Sequence, residues 1–95
     1  MNISSIGNNV TIKGNIKSMT DFQDIKTHLD SLAQSNSDVI ITVEDSISIT
    51  SSVIGYLNKL VLKDKISLQL KVGSDELMEL LDDLNLTQTF RAVRI

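Results

Sequence analysis

The sequence switches repeatedly between two hydrophobic periods, and this switching constrains the fold more than any other feature. In "VTIKGNI" (10–16) apolar and polar residues alternate, which is typical of a strand with one buried face. In the segment 21–35 apolar residues recur every three or four positions, which is typical of a helix. The periods predict the order β-β-α-β-α-β-α-β, with strands at 2–6, 10–16, 38–43, 66–72 and 90–95 and helices at 21–35, from Ser51 to about Lys63, and after Ser74.

Local signals predict where several of these elements begin and end. The turn formers Gly7, Asn8 and Asn9 predict a hairpin between the first two strands. Thr20 is predicted to cap the first helix, and Ser74 the third. The apolar run 38–43 predicts a strand covered on both faces. The apolar stripe of the second helix is expected to contain Ile54, Leu57, Leu60 and Val61.

Strands that alternate with helices imply parallel pairs joined by right-handed crossovers. With the hairpin at the start, the fold class is therefore α/β with a mixed sheet. A chain of 95 residues is expected to form one domain, spanning 1–95. The polar positions in 66–72 suggest an open sheet edge that pairs with a second copy, so a homodimer is one expectation.

Composition and charge exclude several classes of function. The net charge of −3 gives no electrostatic case for binding nucleic acid, which requires clustered Lys and Arg. No apolar run approaches the roughly 20 residues of a membrane span, so direct membrane insertion is not expected. The absence of cysteine and of a signal-peptide pattern favours the cytoplasm.

Groups that carry out catalysis are scarce in the sequence. The single histidine, His28, is predicted to face solvent from the first helix. The carboxylate pairs Glu44/Asp45 and Asp82/Asp83 lack the ligand spacing of zinc or calcium sites. No phosphate-binding glycine motif occurs. We therefore expect no enzyme activity, no catalytic residue, no cofactor and no metal site.

The stretch "ITSSVIGYL" (49–57) contains more small polar residues than a helix start requires. One hydroxyl among Thr50, Ser51 and Ser52 is enough to cap the helix, a contact worth about 1 kcal/mol. Gly55, within the helix, costs about 1 kcal/mol relative to alanine. Such a glycine usually permits close approach of backbone, either to a strand of the same chain or to a partner. The alternatives are therefore a capped helix and a surface made for contact.

The same stretch resembles the signature of the STAS domain, the family of sulfate-transporter and anti-sigma-factor-antagonist domains. That signature is an apolar residue followed by Asp, Ser, Ser/Thr/Ala, Gly, Leu and Gly. "VTIKGNI" is similar to the family's second strand with its Gly-x-Leu/Ile step, here Gly14-Asn15-Ile16. "LMELLDDLNLTQTF" is similar to the family's ending. The resemblance covers nearly the whole chain and implies a mixed sheet with helices packed on one side.

The resemblance also implies a function, protein binding by partner switching. In antagonist-like members a kinase phosphorylates the serine that follows the signature Asp, and the phosphate blocks binding of an anti-sigma factor or serine kinase. That serine is Ser51 here, and the implied partner-binding residues are Thr50, Ser51, Ser52, Val53 and Gly55. The chain has Thr50 in place of the family's Asp and Val53 in place of a small residue.

A second interpretation concerns the end of the chain. Many antagonists continue into one more helix, whereas this sequence stops at "FRAVRI". The shorter ending is similar to the STAS subunit of Mla-type lipid transporters. The alternative function is therefore an accessory subunit that docks constitutively on the ATPase of an ABC-type transporter.

Overall fold

The protein is described by a computed structural model that covers residues 1–95. Its strands are β1 (Asn2–Ile6), β2 (Asn9–Lys13), β3 (Asp38–Val43), β4 (Ser67–Val72) and β5 (Ala92–Arg94). Its helices are α1 (Met19–Ala33), α2 (Ser51–Asn58) and α3 (Asp75–Asp83), and a π-helical turn at Lys59–Lys63 extends α2. The predicted α/β class and the predicted order of elements are confirmed.

The five strands form one mixed sheet in the order β1-β2-β3-β4-β5, with β1 antiparallel to β2 and the other pairs parallel. Each parallel connection moves one strand further in the same direction. Right-handed crossovers in one direction place α1, α2 and α3 on the same face of the sheet. Every strand is therefore paired with the strand that precedes it in the sequence.

Two predictions about the strands are wrong. β4 pairs with β3 along its whole length and with β5 at Leu70–Val72, so it is not an edge strand, and the edges of the sheet are β1 and β5. β3 is not covered on both faces, because buried Val39, Ile41 and Val43 alternate with partly exposed Ile40 and Thr42. The helices cover only one face, and the opposite face of β3 remains accessible.

The core lies between the helices and the covered face of the sheet. It is a single cluster of 20 buried residues, almost all aliphatic. Phe90, in the turn before β5, is fully buried. The buried residues of α2 are Val53, Tyr56 and Leu57, followed by Leu60 in the π-helical turn, whereas Ile54 and Val61 are only partly buried.

The first helix begins two residues earlier than predicted, at a capping box. Ser18, not Thr20, is the N-cap, and its hydroxyl accepts a hydrogen bond from the backbone N–H of Asp21. The Asp21 carboxylate accepts from the N–H groups of Lys17 and Ser18. These bonds, chiefly the one from Lys17, lower the pKa of Asp21. The reciprocal bonds satisfy more backbone donors than Thr20 alone would.

Two turns shorten the predicted strands. β2 ends at Lys13 because Gly14 has a φ of +86°, which breaks the extended backbone. β5 begins only at Ala92 because Arg91 has a φ of +50°. The caps at the other end of the chain agree with expectation: Ser74 caps α3 and Asn85 adopts a positive φ after it.

Candidate functional site

The start of α2 lies at the sheet edge formed by the carboxyl ends of the parallel strands. The loop 44–50 leads from β3 to this helix. Ser46, within the loop, is the one fully buried polar residue of the chain. Its hydroxyl accepts a hydrogen bond from the Ile16 N–H at 3.0 Å and donates one to the Ser48 carbonyl at 2.7 Å. The loop is thus tied internally and to the segment that follows β2.

Three further hydrogen bonds hold the same loop from two sides, the segment after β2 and the start of α3. The Asp45 carboxylate accepts from the Gly14 N–H at 2.7 Å, and the Asn15 side-chain oxygen accepts from the Ile47 N–H at 3.0 Å. The Ser74 hydroxyl donates to the carbonyl of Ser46 at 2.7 Å. The loop therefore holds the first turn of α2 in a defined position relative to the ends of β2 and β4.

Thr50 is the residue that caps α2. Its hydroxyl oxygen accepts a hydrogen bond from the Val53 N–H at 3.2 Å. Since this contact is enough for a cap, Ser51 and Ser52 are free of that role. Both serines are exposed, and neither hydroxyl takes part in a side-chain hydrogen bond within the chain. The two hydroxyls are therefore accessible on the first turn.

Gly55 lies one helical turn after Ser51 and is exposed. A Cβ placed on it would meet no atom within 4 Å. The explanation by close approach to a strand of the same chain therefore fails for this glycine. Nothing within the molecule compensates for its cost to the helix.

Val53 differs from the other four predicted contact residues. Its side chain is 2% exposed and belongs to the core. The structure corrects the prediction at this position, because a buried side chain cannot contact a partner. Val53 instead fixes the underside of the turn whose outer side carries Ser51 and Ser52.

Sequence reasoning missed an apolar residue on the same loop. Ile47 is 52% exposed, although the neighbouring Ile49 is partly buried against the core. In an extended segment, residues two positions apart lie on the same side, so the alternation in "SISIT" gave no signal that Ile47 and Ile49 would differ in exposure. We name Ser51, Ser52, Gly55 and Ile47 the α2 surface, with the half-buried Thr50 at its margin.

Tyr56, in the second turn of α2, connects this helix to α1. The sequence reasoning did not identify this residue. The ring is buried and meets Phe22 edge-on, with centroids 6.3 Å apart. The Tyr56 hydroxyl donates a hydrogen bond to Asp30, and Lys26 forms an ion pair with Asp30 at 2.7 Å. The Lys59 ammonium lies 5.8 Å from the centre of the Tyr56 ring.

These contacts shift two pKa values in opposite directions. The hydrogen bond from Lys26, followed by that from Tyr56, lowers the pKa of Asp30. Burial, followed by the bond to Asp30, raises the pKa of Tyr56. The phenol therefore stays neutral and remains a donor to the carboxylate at ordinary pH, which keeps α2 anchored to α1.

The residues considered for catalysis or metal binding are dispersed. His28 is half-buried on α1, Asp45 is engaged by Gly14, and Asp82 and Asp83 are exposed at the end of α3. No group of three or more His, Cys, Asp or Glu side chains is arranged to hold a metal ion. None of the helices combines the length and the apolar character needed to cross a membrane.

Comparison with known proteins found no match: no protein-family model, no curated protein and no solved structure corresponds to this chain. The features that indicate a function are therefore the geometry of the α2 surface and the resemblance of its sequence to the STAS signature.

Proposed function

We propose that this chain is a non-enzymatic, STAS-like protein-binding module of the cytoplasm that docks a partner protein on the α2 surface. The proposal is supported by two accessible hydroxyls, an exposed isoleucine and an exposed glycine on a rigidly held loop and helix start. A surface that is already ordered loses little conformational entropy when a partner binds.

Gly55 is the observation that carries the proposal. Its cost of about 1 kcal/mol to the helix is not repaid by any contact inside the chain. A partner that packs directly against the helix backbone requires the absence of a side chain at this position. The exposed Ser51, one turn earlier, would then lie at the same contact.

Phosphorylation of Ser51 is the regulation that the resemblance suggests. α2 has no acidic residue in its first turn, so a phosphate there would interact favourably with the helix dipole. It would add a charge of about −1.5 to −2 to a surface that otherwise carries hydroxyls and apolar groups. The fold would persist, while an acidic partner would be repelled and the phosphate oxygens would occupy the contact.

Constitutive docking on a transporter ATPase is the second candidate. It is favoured by Thr50, which caps α2 with a hydroxyl where the family signature has a carboxylate. Without that carboxylate, one feature associated with the kinase substrate is missing. In this case the partner is an ATPase and its binding does not depend on phosphate.

The test is quantitative affinity purification from the native source with mass spectrometry. We expect a partner captured by the wild type to be lost with Gly55→Arg, which puts a long side chain into the contact. Two comparisons separate the candidates. A partner that is switched by phosphate should be released by Ser51→Asp. An ATPase that docks constitutively should be captured equally with and without kinase and ATP. Ser31→Asp, at an exposed position of α1, is the matched control and should retain the partner.

Retention of every captured protein by Gly55→Arg would contradict the assignment of the α2 surface. Phosphopeptide analysis of the same samples reports directly whether Ser51 is modified.

A further inference from the structure

The edge strand β1 carries backbone groups that have no partner within the chain. In an antiparallel pair, successive residues alternately bond to the neighbouring strand and point away from it. The Ile12 carbonyl accepts from the Glu44 N–H, so Ile12 is directed toward β3 and not toward β1. Ile3 is opposite Ile12. Ser5 is opposite Val10, which lies two residues before Ile12 and therefore directs its backbone groups to the same side. The N–H and C=O groups of Ile3 and Ser5 therefore point outward.

β1 also lacks the features that usually protect a sheet edge. It has five residues, "NISSI", with no charged side chain, no proline and no bulge, and Ile6 is 85% exposed. The opposite edge, β5, has only three residues, and its Arg94 forms an ion pair with Asp75 at 2.8 Å. The two edges differ, and only β1 is suited to accept another strand.

We propose that β1 pairs in antiparallel orientation with β1 of a second copy, which makes one continuous sheet across a twofold axis near Ser4. The outward groups of Ile3 in one copy would bond to those of Ser5 in the other. Identical antiparallel edges satisfy each other in this way and form a closed, symmetric dimer. The proposal does not depend on the α2 surface.

The positions of the outward groups favour the antiparallel orientation. Ile3 and Ser5 lie on either side of Ser4, so a twofold axis through Ser4 places each outward N–H opposite an outward C=O of the other copy. Because a single five-residue strand forms the contact, we expect a weak dimer that depends on concentration.

Sedimentation equilibrium of the full chain from about 10 µM to about 1 mM tests the proposal, because weak interfaces associate in that range. We expect the average mass to rise toward that of a dimer. Ser5→Pro removes an outward N–H that the monomer does not use, and proline is tolerated at such edge positions. Dimerisation should weaken at least about tenfold, because two symmetric hydrogen bonds are lost.

Ser5→Thr is the matched control, since it keeps the N–H and suits a strand, and it should dimerise like the wild type. Hydrogen exchange gives a readout without substitution: the amides of Ile3 and Ser5 should exchange more slowly as concentration rises. A monomer at every concentration, a dimer that Ser5→Pro leaves intact, or amides whose exchange is independent of concentration would each overturn the proposal.

Discussion

Replacing Gly55 with alanine should make the protein more stable. A Cβ at this position meets no atom within 4 Å, so the substitution introduces no clash. Alanine is favoured over glycine inside a helix by about 0.8–1.0 kcal/mol, so the free energy of unfolding should rise by about that amount. For a domain of this size, that change corresponds to an increase in Tm of about 4–8 °C. Urea and thermal unfolding followed by far-UV circular dichroism measure it, which suits a chain without tryptophan.

Gly73→Ala is the contrasting variant. A Cβ at Gly73 would lie 1.8 Å from the carbonyl oxygen of Glu44, and backbone cannot move aside as a side chain does. We expect a loss of about 3 kcal/mol or more. If Gly55→Ala proves neutral or destabilising, or if the two variants behave alike, then Gly55 has a structural role that the geometry does not show. The argument that Gly55 is kept for a partner would then fail.

Three further variants test the contacts around the site. Ser46→Ala should cost about 1–3 kcal/mol in urea unfolding, because the buried Ile16 N–H loses its acceptor; a cost below about 0.5 kcal/mol would mean that the loop is held by other contacts. Ser51→Asp should leave Tm unchanged or raise it, since an acid in the first turn favours the helix dipole by about 0.3–1 kcal/mol, and a marked fall in Tm would argue against tolerance of a phosphate there. The pKa of Asp30 is lowered in the folded state, so its contribution to stability is present above the usual carboxyl range and is lost as pH falls through the depressed folded value. Tyr56→Phe removes one of the hydrogen bonds that lower the pKa of Asp30. The free energy of unfolding, measured between about pH 2 and pH 6, should then fall less steeply with decreasing pH than in the wild type. An unchanged pH profile would show that Tyr56 does not stabilise the carboxylate.

The regular part of the fold was predictable because its signals are periodic and local. The alternation in 10–16 and 66–72 located two strands. The predicted cap of the third helix, Ser74, is the cap in the structure. The start of α1 was misplaced because Thr20 and Ser18 are both acceptable caps. Only the reciprocal bonds of Ser18 and Asp21 decide between them, and those depend on the path of the preceding chain.

The candidate site was predictable in part for a similar reason. The hydroxyls at 50–52 and the glycine at 55 are visible in the sequence, but the side on which each residue lies is set by packing. Val53 turned inward because α2 places residues 53, 56, 57 and 60 against the core. This buried set shares Leu57 and Leu60 with the predicted stripe but has Val53 and Tyr56 in place of Ile54 and Val61. The role of Tyr56 depends on Asp30, which is 26 residues away, and no local pattern signals such a pair.

The sequential order of the strands has a consequence for how the chain reaches its native state. Each new strand adds to an edge that the residues before it have already built, so no strand needs a segment that comes later in the sequence. Each parallel pair still joins residues 22 to 31 positions apart, and pairings of that separation form more slowly than the local contacts of a helix or a hairpin. During synthesis on the ribosome, the hairpin can therefore serve as a template on which the rest of the sheet grows one strand at a time.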